Sequence, residues 1–411
     1  MQNTFRKSLA LLLILCLLVP LFGISVLAED TAELPIDYQF KDVVIPDADG
    51  AQALAAGMTN DPYSSQQWSM KMVGMEAAWQ SGLTGKGVRV AIVDCGVSTK
   101  TNDIDSSRLL AGKNLLEPTQ STEDTHGHGT FIAGIIGAAK DNGVGIAGIA
   151  PGVTIVPLKT TDDGRSNIDL VAQAIYDAVD EFDCSIINLS FGTKTQSKAM
   201  HDAIRYATDR GVIVVASTGN DGSAALHYPG AYDEVIGVGS VSKNMERSSF
   251  SHQNSSIYVV APGDSVTSLG MTSGSVKTSG GTSYSAPVVT GIAALLKEAH
   301  PEMNADDFKA ILQASCYDLG EEGYDTSYGW GLVQAPKAIV AAAEYYGTAA
   351  PDMPEIPDPT PEPVPDPTPD PTPDPGSSWS ILDLFNFNWL RELFQNIIRS
   401  LFKGWATNLT F

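Results

Sequence analysis

Short apolar runs alternate with amphipathic stretches between about residue 66 and residue 345. Five runs are apolar over most of their length, as buried strands of a parallel sheet are, and they cover residues 88–93, 155–158, 185–189, 212–216 and 235–241. Stretches with helical spacing of apolar positions lie near 130–139, 167–182, 197–210, 284–299 and 304–315. This alternation predicts an α/β domain over residues 66–346, with a mostly parallel sheet covered by helices on both faces.

The start of the chain differs in composition from this domain. Arg6 and Lys7 precede an apolar run, and Val26-Leu27-Ala28 provides the small residues of a signal-peptidase site. Residues 1–28 are therefore predicted to be a signal peptide, with an uncleaved membrane anchor as the alternative. We expect a secreted, extracellular protein in which residues 29–65 form a short leader.

The end of the chain contains two further segments. Residues 347–378 form an acidic, proline-rich stretch, which cannot build a core and predicts a disordered linker. Residues 379–411 carry apolar residues at helical spacing with Arg391, Arg399 and Lys403 between them, which predicts an amphipathic C-terminal helix. We expect this helix to associate with a membrane or cell surface. Packing on the main domain or self-association is the alternative.

The charge and the cysteine content restrict the partners. With 25 Lys and Arg against 48 Asp and Glu, the formal net charge is −23, which excludes a nucleic-acid partner because a phosphate backbone requires a basic surface. Beyond the signal peptide the cysteines are Cys95, Cys184 and Cys316, which cannot all pair and lack metal-ligand spacing. We expect them to be buried as free thiols, in a protein that is otherwise a monomer.

Three glycine-flanked turns carry candidate catalytic residues. Asp94 follows the run 88–93, which places it at the carboxyl edge of the predicted sheet. His126 and His128 lie in the segment DTHGHGT, directly before a helix of small residues, and Ser283 follows a glycine turn in SGGTSYSAP. Each residue alone is typical of a loop or a helix cap, but the order Asp, His, Ser is the chain order of the subtilisin triad.

These segments resemble the blocks D-[ST]-G, H-G-T-H-[VI]-A-G and G-T-S-[MFY]-[AS]-x-P of the subtilisin-like serine peptidases, the subtilases. The resemblance spans about residues 66–345 and implies a serine endopeptidase. In it Ser283 would be the nucleophile, His128 its general base, and Asp94 the residue that orients His128. Asn220, in the segment ASTGN, would stabilise the oxyanion together with the Ser283 N–H. His126 lies outside the HGT motif and is expected to be a loop residue.

The resemblance also implies where a protein or peptide substrate binds. Ser190, Phe191 and Gly192 would form one wall of the S1 pocket and Ser217, Thr218 and Gly219 the other, and the substrate would add to them as a strand. Asp221 would lie at the rim of this pocket and favour Lys or Arg at P1, and His227 would lie at its floor. The stretch 162–166 is shorter than the strand that forms S2–S4 in the family.

Three residues depart from the family blocks without replacing a triad member. Cys95 stands where Ser or Thr usually follows the acid, Phe131 replaces the second histidine of HGTH, and Tyr284 replaces the more common Met. We therefore expect activity to be retained.

A structural calcium ion is the only cofactor that the resemblance implies. The loop 140–146 has the length of the family's calcium loop, and Asp103 aligns with its carboxylate ligand. Asp103 and Asn142 are therefore candidate Ca²⁺ ligands. The alternative is an Asn-Gly turn without a metal, and no cofactor is expected to take part in catalysis.

Two other functions stay open at this point. One is a dedicated processing peptidase with one or few protein substrates, and the other is a non-catalytic, subtilase-like binding module. An α/β-hydrolase esterase is disfavoured, because its triad would run Ser, acid, His and the chain contains no G-x-S-x-G.

Overall fold

A computed structural model describes residues 33–35, 58–354 and 358–361 of the chain. The predicted signal peptide, the amphipathic C-terminal segment and most of the leader and linker lie outside these residues. Within the described ranges, no helix combines the length and the apolar character that crossing a membrane requires.

A central sheet of seven parallel strands confirms the predicted fold class. The strands of the described residues are β1 Glu33–Pro35, β2 Arg89–Asp94, β3 Lys113–Asn114, β4 Thr154–Lys159, β5 Arg165–Asn167, β6 Ile186–Leu189, β7 Ile213–Ser217, β8 Ile236–Val241, β9 Val259–Pro262, β10 Val266–Leu269 and β11 Val276–Ser279. The order in the sheet is β3-β4-β2-β6-β7-β8-β9. The five apolar runs predict the five strands in the middle of this order, β4, β2, β6, β7 and β8. The pairs β1-β5 and β10-β11 are antiparallel.

Helices cover both faces of this sheet. They are α1 Trp68–Met72, α2 Met75–Ala78, α3 His128–Gly137, α4 Ile168–Asp180, α5 Lys198–Thr208, α6 Thr282–Ala299, α7 Ala305–Ser315 and α8 Ala335–Tyr346. Along β2, Val90 and Ile92 join the core layer of α3 and α6, whereas Ala91 and Val93 join that of α4 and α5. All four side chains are fully buried, which explains why the run is continuously apolar.

The folded domain begins before residue 66, where the sequence pattern placed its start. Asp61 and Ser64 are each only 3% exposed. The Tyr63 N–H donates to the carbonyl of Gly145 at 3.0 Å. Residues 59–65 therefore belong to the domain rather than to the leader, and the buried carboxylate of Asp61 accepts hydrogen bonds from the loop at Asp141 and Asn142.

The small-residue helix α3 packs closely against β10, as its composition predicts. A Cβ built on Gly134 would lie 2.4 Å from Ser268 Oγ and 2.7 Å from Leu269 Cγ. The Ser268 hydroxyl also donates to the Phe131 carbonyl at 2.6 Å, which fixes the strand to the helix. Any side chain larger than hydrogen at position 134 would force the two elements apart.

Gly134→Ala should therefore destabilise the protein by about 1–3 kcal/mol through overpacking. For a domain of this size each kcal/mol lowers the midpoint of thermal unfolding by roughly 2–4 °C. Gln313→Ala, at an exposed position of α7, is the control and should change stability by no more than about 0.5 kcal/mol. Equal midpoints for Gly134→Ala and wild type would show that α3 and β10 are not tightly packed.

Candidate active site

The predicted site residues lie at the ends of strands and at the starts of helices. Asp94 is the last residue of β2 and Ser217 the last of β7. His128 is the first residue of α3, and Ser283 is the second residue of α6. The carboxyl edge of a parallel sheet is the usual location of a site in α/β proteins.

Asp94 and His128 form a fully buried pair. His128 Nδ1 lies 2.8 Å from Asp94 Oδ2 and 3.0 Å from Oδ1, and both side chains are 0% exposed. The Cys95 N–H donates to the same Oδ1 at 2.8 Å. Burial favours the neutral acid, but the charge of His128 and the hydrogen bonds from His128 and Cys95 hold the pKa of Asp94 below its usual value. Asp94 is thus an ionised acceptor, which places the proton of the imidazole on Nδ1.

Asn220 and Ser283 line one cavity of about 360 Å³. The N–H and the hydroxyl of Thr282 both donate to Asn220 Oδ1 at 2.8 Å. Because the amide oxygen faces these donors, the amide NH₂ is left to donate to another group. Ser283 lies in the first turn of α6, where backbone N–H groups have no acceptor within the helix. The cavity is thus lined by a serine and by an asparagine whose amide oxygen is already bonded.

Ser190 ties the end of β6 to α6. Its hydroxyl donates to the Ser283 carbonyl at 2.9 Å and accepts from Asn188 Nδ2 at 2.8 Å. Asn188 Oδ1 in turn accepts from the Thr290 hydroxyl at 2.9 Å, and all of these residues are buried. The side chain of Ser190 therefore positions the backbone that carries Ser283.

Both predicted pocket walls contribute residues to the cavity, namely Phe191, Gly192 and Ser217. Ser190, Thr218 and Gly219, the other predicted wall residues, do not line the cavity. The Thr218 hydroxyl donates to the Val238 carbonyl at 3.1 Å, and the Gly219 N–H donates to Thr282 Oγ1 at 3.2 Å. The second wall is thereby attached both to β8 and to the start of α6.

Two of the departures from the family blocks pack on each other beside His128. The ring centroids of Phe131 and Tyr284 are 4.5 Å apart, and the Tyr284 centroid is 5.5 Å from that of His128. Both aromatic side chains are fully buried. The two substitutions thus form one packing unit, which contacts the ring of His128 through Tyr284, the residue after Ser283.

Asp124 is a site residue for which the sequence patterns indicate no role. Its buried carboxylate accepts the N–H groups of His126 and Gly127 at 2.8 and 2.7 Å and that of Thr130 at 2.9 Å. The Cys95 thiol donates to it at 3.2 Å. An acid three residues ahead of a glycine N-cap is the signal that could have identified it, because glycine has no side chain to accept the first N–H groups of the helix.

The stretch 162–166 contributes to a strand, although it is short. Arg165–Asn167 forms β5, and Glu33–Pro35 of the leader pairs with it antiparallel, with Leu34 opposite Ser166. The edge of β5 thus accepts an extended segment of polypeptide.

The charged residues at the mouth of the cavity pair with one another. Lys194 contacts Asp221 Oδ2, and His252 Nε2 lies 2.5 Å from Asp221 Oδ1. The hydrogen bond from Lys194, with those from Ser223 and the charge of His252, holds the pKa of Asp221 well below its usual value. The charge of Asp221 is therefore already paired within the protein, which weakens the basis for the expected preference for Lys or Arg at P1.

His227 lines the same cavity, as expected for the pocket floor. Burial, followed by the charge of His252, lowers the pKa of His227 to about 4. Its ring is therefore neutral at both pH 5.5 and pH 8, and it adds no charge to the pocket in that range.

The predicted calcium ligands meet through a hydrogen bond. Asp103 Oδ1 accepts from Asn142 Nδ2 at 2.8 Å, and Asp103 Oδ2 accepts the Ile146 N–H at 2.9 Å. Asn142 Oδ1 accepts the Val144 N–H at 2.8 Å, which keeps the amide nitrogen turned toward Asp103. Calcium requires an oxygen at that point, so the residues as arranged do not fit a calcium ion.

Asp61 holds the same loop from the other side. Its carboxylate accepts the N–H groups of Asp141, Asn142 and Gly143 at 2.9, 3.0 and 3.2 Å. A buried carboxylate that accepts three consecutive backbone donors stabilises the conformation of the loop.

Comparisons with known proteins agree with this geometry. The sequence model of the subtilase family matches residues 85–331. The chain is 36% identical over 277 residues to subtilisin BL of Lederbergia lenta, a match that covers 67% of this chain and 98% of that protein. It is 35% identical over 286 residues to the minor extracellular protease Epr of Bacillus subtilis (strain 168), which covers 68% of this chain and 43% of Epr. The chain belongs to the subtilase family and is a subtilisin-like serine endopeptidase.

Solved structures show the same fold. A protease from Pseudoalteromonas arctica superposes with a TM-score of 0.64 at 28% identity, covering 70% of this chain and 100% of that chain. Fervidolysin from Fervidobacterium pennivorans, described as a keratinolytic enzyme related to subtilisin, gives a TM-score of 0.65 at 26% identity and covers 75% and 51%.

Since hydrogen bonds to Asp61 and Asp103 hold the loop 140–146, we expect chelator to leave the thermal midpoint of the wild type unchanged. Asp61→Asn should lower the midpoint, because loss of a buried acceptor costs about 1–3 kcal/mol, and added calcium should not restore it. Asp209→Asn, at an exposed position, is the control and should leave the midpoint unchanged. A midpoint that falls in chelator and recovers with calcium would contradict this account and support the calcium site.

Proposed function

We propose that this protein is a secreted serine endopeptidase that hydrolyses peptide bonds with Asp94, His128 and Ser283. The observation that carries the proposal is the buried Asp94–His128 pair, 2.8 Å apart, whose imidazole ring lies 5.5 Å from the ring of Tyr284. Tyr284 directly follows Ser283, which lines a cavity together with Asn220. The three residues also occupy the positions that the family blocks assign to the triad. A non-catalytic binding module has no support here, since none of the three is replaced.

In the proposed reaction, Ser283 Oγ attacks the scissile carbonyl carbon of the substrate. His128 Nε2 removes the hydroxyl proton and donates it to the leaving amine, which leaves the acyl group on Ser283 Oγ. A water molecule that gives its proton to the same nitrogen then attacks this ester, and the proton returns to Ser283 Oγ as the acid product leaves. Asp94 accepts from Nδ1 throughout and stabilises the imidazolium. Its lowered pKa supports this role, because an ionised acceptor is needed at each step.

The oxyanion of the tetrahedral intermediate would be stabilised by the Asn220 NH₂ and the Ser283 N–H. Thr282 supports the assignment for Asn220, since both of its donors hold the amide oxygen away. Preorganised donors of this kind need no reorientation when the charge develops.

The substrate would bind as an extended strand, with main-chain hydrogen bonds along the backbone of Ser190–Gly192 and of Ser217–Gly219. The pairing of Glu33–Pro35 with β5 supports a further edge for the residues on the amino side of the scissile bond. Such binding favours proteins and unfolded peptides as substrates, because a bound segment has to be extended.

Export would follow from the signal peptide at residues 1–28, in keeping with the extracellular protease Epr among the relatives. The acidic linker, residues 347–378, would separate the enzyme from the amphipathic segment 379–411. We propose that this last segment associates with a membrane or cell surface.

Ser283→Ala tests the proposed function directly. The variant should lose peptide hydrolysis by roughly 10⁶ in kcat, the scale that subtilisin shows for the corresponding change. A serine-reactive phosphonate should label the wild type at Ser283 and should not label the variant. Ser255→Ala, which changes an exposed serine outside the cavity, is the control and should retain full activity. If Ser283→Ala keeps most of its activity, another residue is the nucleophile.

The pairing of Asp221 with Lys194 predicts that wild type cleaves a P1-Lys substrate no better than a matched P1-Leu substrate. Lys194→Gln should free one side of the carboxylate and raise the Lys/Leu ratio of kcat/KM about two- to fivefold, the scale of an exposed ion pair. Lys198→Gln, on α5 and paired with Asp202, is the control. A wild type that already prefers P1-Lys would show that Asp221 acts despite its partners.

A further inference from the structure

Cys95 contacts groups on both sides of the proposed catalytic pair. It directly follows Asp94, and its N–H donates to Asp94 Oδ1 at 2.8 Å. Its sulfur accepts the Gly129 N–H at 3.2 Å, and its thiol donates to Asp124 Oδ1 at 3.2 Å. Cys95 is fully buried, and Asp124 is 4% exposed. One side chain thus joins the end of β2 to the start of α3.

Asp124 and Cys95 together cap α3. The N-cap residue, Gly127, has a φ of 105° and no side chain that could accept the first N–H groups of the helix. Asp124 Oδ2 accepts both the N–H and the hydroxyl of Thr130 at 2.9 and 2.5 Å, while Cys95 accepts the N–H of Gly129. Since His128 is the first residue of α3, these two caps determine where its backbone lies.

The Cys95 thiol has to stay protonated to donate to Asp124, and its surroundings favour that state. Burial, followed by the charges of Asp94 and Asp124, raises the pKa of the Cys95 thiol well above its usual value, so the sulfur keeps the proton it donates. Asp124 accepts from five donors through both oxygens, as an ionised carboxylate can. The family pattern has a hydroxyl at position 95, and here the thiol takes up both the donor and the acceptor contacts.

We propose that Cys95 and Asp124 are positioning residues, which hold the His128 end of α3 against the Asp94 end of β2 and thereby set kcat. This inference rests on the proposed function of Asp94, His128 and Ser283. A displacement of the catalytic base by about 1 Å costs about 10²-fold in rate. In the described part of the chain, no hydrogen bond joins Cys95 or Asp124 to the pocket walls at Phe191 and Ser217, so substrate affinity should not change.

The test compares kcat and KM on one peptide substrate for wild type, Cys95→Ala, Asp124→Asn and Cys95→Ser. Each kcat is divided by the folded fraction, measured by circular dichroism at the assay temperature. Cys95→Ala and Asp124→Asn should lower kcat per folded molecule about 10- to 100-fold, with KM changed by less than about threefold. Cys95→Ser keeps a donor and an acceptor at the same place and should retain at least about a third of kcat.

Two further variants separate positioning from stability. Cys184→Ala removes a buried thiol just before β6, away from the site, and should lower the thermal midpoint while leaving kcat unchanged. The double variant Cys95→Ala/Asp124→Asn should lose little more than the larger single loss, because the two residues act as one unit.

The outcomes distinguish this inference from the proposed function. If wild type does not cleave the peptide, the proposed function itself fails. If wild type cleaves it and both Cys95→Ala and Asp124→Asn keep kcat per folded molecule within about threefold, the two residues serve only stability and the inference is overturned. Should Asp124→Asn fail to fold, Cys95→Ala decides alone, since it leaves the carboxylate and its N–H donors in place.

Discussion

A carboxylate and an imidazole that lie 34 residues apart in the chain meet at 2.8 Å without access to water. Asp94 comes from a strand and His128 from a helix, so the two elements must approach more closely than ordinary side chains permit. Gly129 makes this approach feasible, because a Cβ there would lie 2.1 Å from the Gly96 carbonyl oxygen and 3.3 Å from Asp94 Cβ. Glycine-rich turns on both sides of the pair are therefore a steric requirement of the contact rather than a source of flexibility.

Bringing backbone into such close contact buries N–H groups that need acceptors. The structure meets this need with side chains from distant parts of the chain. Asp124 and Cys95 accept from the start of α3, Asn220 accepts from Thr282 at the start of α6, and Asp61 accepts from the loop at 141–143. In each case the acceptor also fixes a functional or neighbouring segment, so the hydrogen bonds that stabilise the fold also arrange the site.

The periodicity of apolar residues predicts most of the fold, and the carboxyl-edge rule predicts where Asp94 lies. Strands buried on both faces have to be continuously apolar, and for this reason the middle strands of the sheet are predicted closely. The short strands β3, β10 and β11 contain no continuous apolar run and are not predicted. Helix α8 also goes unpredicted, although its alanine-rich face is buried. Residues 59–65 are assigned to the leader because a segment bound through polar contacts has no apolar pattern.

The sequence by itself determined that Asp94, His128 and Ser283 lie at strand and helix ends along one edge of the sheet. Each of these positions follows from a few neighbouring residues, namely an apolar run or a glycine turn. Only the tertiary structure decided which groups surround them. The Cys95 thiol donates a hydrogen bond to Asp124, and the carboxylate of Asp221 pairs with Lys194 and His252. The amide nitrogen of Asn142 donates to Asp103. Each of these depends on a partner at least 27 positions away in the chain. Charge and hydrogen bonding act through distance in space, which no local pattern of residues encodes.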